Sequence, residues 1–286
     1  FNFSRIPQEY DWILWLDIDD TFRGGEYIKN LIEETEKQNA EAIYLNYLYH
    51  VEIDASHNIT KIITQNPRER FVRNGLFTWK GSIHEILIEN QPTYKVYNGE
   101  CDVVHMADHD QRLQSLMRNI KSLEVTICQT QKGESRQLYY LAKCLFDLRD
   151  KKMDIVAQTL MFEFLGSNDD SEEERAQVWS YIAEIYMRHG EYDNTIKAAM
   201  NGFIDDPQWK QLYLTLAETY IAKREWKLAL YWINAMNLIP EKLSFLFTSP
   251  NNQKLKTLQF MSTCYYNLKE IEKFNQTYGE LKRTFP

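Results

Sequence analysis

Trp12-Ile13-Leu14-Trp15-Leu16 runs straight into Asp17-Ile18-Asp19-Asp20. An unbroken run of large apolar side chains bounded by turn signals predicts a strand buried on both faces, as in an α/β sheet. Ligands of open α/β sheets bind at the carboxyl ends of such strands, which is where these aspartates fall. Carboxylates crowded at one strand end cannot all stay ionised unless something offsets their repulsion. A hard divalent cation does so, and Mg²⁺ or Mn²⁺ is the expected cofactor. The bland alternative is a strand end with solvated aspartates.

The chain has 286 residues and a formal charge of −8, with 26% charged and 44% hydrophobic residues. That composition predicts a globular protein of about two domains. The negative balance excludes a nucleic-acid surface, which needs a basic footprint. No apolar run approaches the roughly 20 residues of a transmembrane helix. Cys101, Cys128, Cys144 and Cys264 fit neither a disulfide framework nor a zinc spacing, so a reducing, cytoplasmic setting is expected.

Farther along, Ala42 to Tyr49 alternates as a strand does, Asp54 to Asn58 is turn chemistry, and Ile59 to Thr64 opens a second strand of a hairpin. Arg68-Glu69-Arg70-Phe71-Val72-Arg73 alternates too, so Arg68 and Arg70 share one strand face. Ser82 to Ile88 is expected as another strand, with His84 and Glu85 on opposite faces. Asp102 to Met106 is a short strand carrying His105. From Gln111 the period becomes helical. Ala183 and Tyr186 recur as Ala217 and Tyr220, the 34-residue period of tetratricopeptide repeats. Leu258, Ser262, Tyr265, Phe274 and Tyr278 mark a last copy. Leu138, Leu141, Ala142, Leu145 and Ala157 mark a degenerate first one. A generic helical bundle is the plainer alternative. The expected division is a sheet domain over 1–110, a connecting helix over 111–134 and a repeat domain over 135–286.

Two families share the acidic opening. Asp17-Ile18-Asp19-Asp20-Thr21 fits the Asp-X-Asp-X-Thr of haloacid-dehalogenase-like phosphatases. That resemblance implies Asp17 as nucleophile and Asp19 as general acid/base, but its later acidic pair would have to be Asp108 and Asp110, a weak match. More of the chain resembles family-2 glycosyltransferases of the GT-A fold. The matching blocks are Trp12 to Asp20, then Arg70-Phe71-Val72-Arg73, then Gly81-Ser82-Ile83-His84-Glu85, then Val104-His105, followed by Arg118-Asn119. One bacterial subgroup of that family also carries tetratricopeptide repeats in this order. The fold class so implied is α/β followed by all-α: the later part of a GT-A-type mixed sheet, then a helical solenoid.

This resemblance implies a metal-dependent inverting transfer of sugar from a nucleotide-diphosphate donor. Asp19 and His105 would hold the metal, and Asp17 would lie near the ribose or the metal. Glu85 is the implied general base toward the acceptor. Arg70, Arg73, Trp79 and His84 are candidate substrate contacts, each with a structural alternative: ion pairs for the arginines, core packing for Trp79. The acceptor could be a peptide, a protein or a glycan. The nucleobase-binding half of the family is missing, so this chain is expected to bind nucleotide sugar poorly or not at all. The competing reading is a non-enzymatic repeat scaffold that binds a protein partner or self-associates.

Overall fold

The computed structural model describes residues 3–56, 58–81, 85–106, 112–130, 134–167 and 171–285. The chain divides into two compact units, Phe1–Asp110 with Leu243–Asn251, and Gln111–Lys242 with Asn252–Pro286.

The first unit is a curled mixed sheet. Its strands are β1 (Trp12–Leu14), β2 (Asp20–Arg23), β3 (Ala42–Ile53), β4 (Ile59–Arg73) and β7 (Lys95–His105), in the order β1-β4-β3-β7-β2. Among the described residues only β3 and β7 run parallel. A separate hairpin pairs β5 (Phe77–Lys80) with β6 (Ile86–Glu89). Helix α1 (Ile28–Lys37) follows the turn at Gly24, whose φ of +90° suits glycine, and an added Cβ there would meet Cys101 Sγ at 3.0 Å. Alternation in β3 puts Ile43, Leu45 and Tyr47 in one core with Leu31, Phe71 and Val103. Ala42 and Val72 join a second core with Phe3, Ile13, Trp15 and Phe77.

This arrangement corrects the opening expectation. The strand buried on both faces is β3, with Ala42, Ile43, Leu45 and Leu48 all at most 2% exposed. β1 is a short edge strand paired antiparallel to β4 alone, and Leu14 and Leu16 are exposed. The apolar run therefore buries Ile13 and Trp15 in one core and half-buries Trp12 against the other, while Leu14 and Leu16 stay exposed. The hairpin of β3 and β4 is present, closed by Asp54 Oδ1 accepting from the backbone N–H groups of Ser56 and Asn58. β4 is one long strand that includes both Ile59 to Thr64 and Arg68 to Arg73. The expected strand from Ser82 begins only at Ile86, and 82–84, with His84, lie outside the described residues. The segment Leu243–Asn251 folds with this unit. Thr248 and Gln65 exchange backbone hydrogen bonds of 2.8 and 3.0 Å, and Asn251 Nδ2 donates to the Ile62 carbonyl at 2.7 Å.

The second unit is helical. It opens with α2 (Arg112–Thr130) and continues as α3 (Ser135–Asp147), α4 (Lys151–Leu165), α5 (Glu172–Arg188) and α6 (Tyr192–Asp205). The last four helices are α7 (Lys210–Ala222), α8 (Trp226–Asn237), α9 (Pro250–Asn267) and α10 (Ile271–Thr284). Among the described residues, α3 through α10 form four hairpins with one shared turn. Arg149, Gly190, Arg224 and Lys269 sit at equivalent places with φ of 54°, 76°, 62° and 62°. Each donates its backbone N–H to the carbonyl three residues back: Phe146, Met187, Ile221 and Tyr266. The next residue is acidic every time, Asp150, Glu191, Glu225 or Glu270, and stands at the N-cap position of the following helix, where Asp150 also accepts from the Lys152 and Met153 backbone N–H groups. A carboxylate there complements the positive end of the helix dipole. The degenerate first copy thus obeys the same geometry as the others. Small residues at the crossings are fully buried: Ala183, Ala199, Ala217 and Ala229. Among the described residues no helix is long and apolar enough to cross a membrane.

Candidate functional site

The acidic run converges with residues far away in sequence: the expected pair of Asp19 and His105 comes together, and Asp20 joins it. After β1 the chain turns, with Asp20 N–H donating to the Asp17 carbonyl at 3.0 Å and Asp17 N–H donating to Asp20 Oδ2 at 3.0 Å. Asp20 then begins β2, and the antiparallel register with β7 sets it opposite His105. His105 Nδ1 lies 3.2 Å from Asp20 Oδ1 and 3.6 Å from Asp19 Oδ1. From β4, Arg70 Nη1 reaches Asp20 Oδ2 at 3.1 Å. The Arg70 guanidinium is sandwiched between Trp15 and Tyr47, its Cζ 4.0 and 4.3 Å from the two ring centroids. Its Nε and Nη2 are buried without a hydrogen-bond partner.

Electrostatics follow from this packing. Burial pushes the Asp17 carboxyl up, helped by the nearby Asp20 charge. Burial acts the same way on Asp20, but the His105 hydrogen bond and the Arg70 charge outweigh it and hold Asp20 low. The Asp20 bond in turn raises His105. His105 also stacks on Tyr49, with ring centroids 4.9 Å apart and planes 7° apart, and Tyr49 meets Phe247 at 4.8 Å.

One oxygen each of Asp19 and Asp20 and a ring nitrogen of His105 lie within 4.8 Å of one another. Two carboxylates and an imidazole suit Mn²⁺ more than Mg²⁺, because Mg²⁺ favours an all-oxygen shell. Asp20 was absent from the expected ligand pair of Asp19 and His105, although it adjoins the motif. Only the β2–β7 register shows that it faces His105. Asp17 stands outside this group. Tyr47, Tyr49 and Phe247 had no signal beyond their aromaticity.

The other expected residues do not gather here. Arg73 pairs with Glu36 at 2.9 Å and Asp11 at 3.8 Å and lies over Trp12. Trp79 packs edge-on against Trp15 and Phe3 in the core. Glu85 is exposed, just ahead of β6 in the separate hairpin. His84, Asp108 and Asp110 lie outside the described residues.

No protein-family profile matches the chain, and no curated protein does. Solved structures do. MamA is 12% identical, with 61% of this chain and 92% of MamA aligned at a TM-score of 0.47. The C-terminal part of a tetratricopeptide-repeat protein from Cytophaga hutchinsonii is 14% identical, covering 62% of this chain and 63% of that one at 0.44. A Podosopora anserina putative kinesin light chain with nearly identical tetratricopeptide-like repeats is also 14% identical, covering 62% and 96% at 0.44.

The glycosyltransferase expectation, with its nucleotide-sugar donor, is corrected here: the implied base Glu85 stands just ahead of β6 in the separate hairpin and not in the strands that hold the acidic cluster. The structures found similar are repeat proteins. Of the implied base and substrate contacts, Glu85, Arg73 and Trp79 lie apart from the acidic cluster, whereas Arg70 and Asp17 lie at it.

Proposed function

We propose that the helical unit is a protein-docking scaffold. The observation that carries this reading is a row of side chains contributed by the first helix of successive hairpins. Burial raises the Glu218 carboxyl on α7, while Lys256 on α9 lowers it and Glu184 on α5 raises it. Glu184 and Glu218 stand one 34-residue period apart on α5 and α7, and the Glu218 carboxyl feels both Glu184 and Lys256 of α9. Stacked repeats that share such a face make an extended binding surface. The test is affinity capture by the full chain and by a Glu184→Lys/Glu218→Lys variant with an unchanged melting curve. A protein held by the wild type and released by the variant supports the scaffold. Equal retention by both, or nothing retained above a scrambled control, overturns it.

A second capability belongs to the sheet unit. Asp19, Asp20 and His105 form a donor set for Mn²⁺, and a cation there would offset the repulsion among Asp17, Asp19 and Asp20. Electron paramagnetic resonance of added Mn²⁺ checks this. The free-ion signal should fall with one site per chain and recover in His105→Ala; a signal unchanged by the wild-type protein sinks the assignment.

A further inference from the structure

The segment Leu243–Asn251, which runs from beyond α8 into the first residues of α9, folds with the sheet unit as a strap on the hairpin of β3 and β4. Among the described residues its backbone pairs with the sheet through Thr248 and Gln65 alone. Thr248 Oγ1 also donates to the Gln65 carbonyl at 3.3 Å, Ser249 Oγ lies 3.4 Å from Thr64 Oγ1, and Asn66 Nδ2 donates to the Phe245 carbonyl at 3.4 Å. Alternation along Phe245-Leu246-Phe247 sends two rings to β3. Phe245 meets Tyr44 at 5.1 Å, and Phe247 meets Tyr49 at 4.8 Å. Both strap rings stay partly in water, Phe245 52% and Phe247 38% exposed. A segment held by few hydrogen bonds and half-wet rings opens locally, at a fraction of the cost of unfolding the unit.

A chain of rings joins this strap to the cation donor set. To present Nδ1 to a cation beside Asp19 and Asp20, His105 needs its nitrogen edge aimed at the carboxylates and its ring plane held. The β2–β7 register and the Asp20 contact at 3.2 Å aim the edge. Tyr49 holds the plane, its ring stacked on the imidazole at 4.9 Å with the planes 7° apart. Tyr49 itself lies where the β3–β4 register shifts, between the pairs Leu48–Gln65 and His50–Thr64, so the ladder does not fix its direction. Two other rings set that direction. Tyr47 meets both Tyr49 and His105 edge-on at 5.8 Å, but it is buried in the core. Phe247 is the neighbour on an element that can leave.

We propose that docking of the 243–251 strap is coupled to cation occupancy of Asp19, Asp20 and His105, with Phe247 and Tyr49 as the positioning residues that carry the coupling. The inference rests on the Mn²⁺ reading and adds what regulates that site. A cation that holds the His105 ring also holds Tyr49 against Phe247, which favours the docked strap. Linkage is reciprocal, so the docked strap favours the cation by the same factor. The test follows Mn²⁺ by electron paramagnetic resonance, and strap opening by hydrogen exchange, in the full chain. Phe247→Ala should weaken Mn²⁺ binding about fivefold or more. Phe247→Tyr, which keeps the ring, should bind as the wild type does. Saturating Mn²⁺ should slow exchange of the Thr248 amide, the donor to Gln65, about fivefold or more in the wild type and not at all in His105→Ala. Mn²⁺ bound equally by the wild type and Phe247→Ala, or bound without slowing Thr248, overturns the coupling and leaves the cation site standing. Equal weakening in Phe247→Ala and Phe247→Tyr overturns it too. A wild-type chain that binds no Mn²⁺ overturns the coupling and the cation site together. If Phe247→Ala fails to fold, exchange in the wild type decides.

Discussion

Arg70 Nη1 lies 3.1 Å from Asp20 Oδ2, and both side chains are wholly shielded from solvent. Breaking one member of such a pair strands the other charge in the interior, which costs about 3–5 kcal/mol. Arg70→Met and Asp20→Asn should each destabilise the sheet unit by that order in urea denaturation. The double variant should be clearly less unstable than the two losses added together, because neither charge is then left alone. Strict additivity would show that the pair is not coupled.

Arg149, Arg224 and Lys269 occupy the left-handed backbone region that Gly190 fills without strain. A side chain there costs roughly 1 kcal/mol. Arg224→Gly and Lys269→Gly should therefore raise the melting temperature by about 2–4 °C, and Gly190→Ala should lower it similarly. Calorimetry of the three single variants decides the matter; a fall in both glycine variants would refute the shared-turn account.

Gly202 is the opposite case. In mid-helix, alanine normally gains about 0.5–1 kcal/mol over glycine. Here the new methyl would meet Leu212 Cδ1 at 2.8 Å and Trp179 Cβ at 2.9 Å. Overpacking of this kind costs about 1–3 kcal/mol, so Gly202→Ala should be destabilising overall. A stabilised variant would mean that α6 and α7 are not packed as described.

Glu218 sets a pH dependence in the helical unit. Its carboxyl is raised from 4.5, chiefly by burial. A raised folded value means stability present in acid and lost as the pH climbs through that value. Glu218→Gln removes the loss. The melting temperature of the variant minus that of the wild type should grow between about pH 4 and pH 7. A difference that stays flat over this interval would remove the basis for the buried carboxyl.

Much of the helical half was legible because its determinants are local. Ala183, Tyr186, Ala217 and Tyr220 show a period, since each repeat reuses one small-residue crossing. The equally regular turn, with an acidic residue after Arg149, Gly190, Arg224 and Lys269, was readable in the same way but hides behind one glycine and three long cations. Of the expected strands beyond the opening, Ala42 to Tyr49 falls within β3, and Asp102 to Met106 overlaps the end of β7, which stops at His105.

By itself, the amino-acid sequence determined the alternation of β3 and β4, the Asp54 turn, the helical hairpins and the acidic character of the strand end at Asp17 to Asp20. Those features depend on neighbours a few residues apart, where side-chain period and backbone preference suffice. Tertiary structure alone decided that the Trp12 to Leu16 run lies at a sheet edge, because burial depends on which strands flank it. It alone set Asp20 against Arg70 and His105, residues from three strands brought together by antiparallel register. It also dispersed Arg73, Trp79 and Glu85, whose order along the chain had suggested one catalytic centre. A motif read in one dimension gives order; which side chains meet depends on the pairing of strands far apart in sequence.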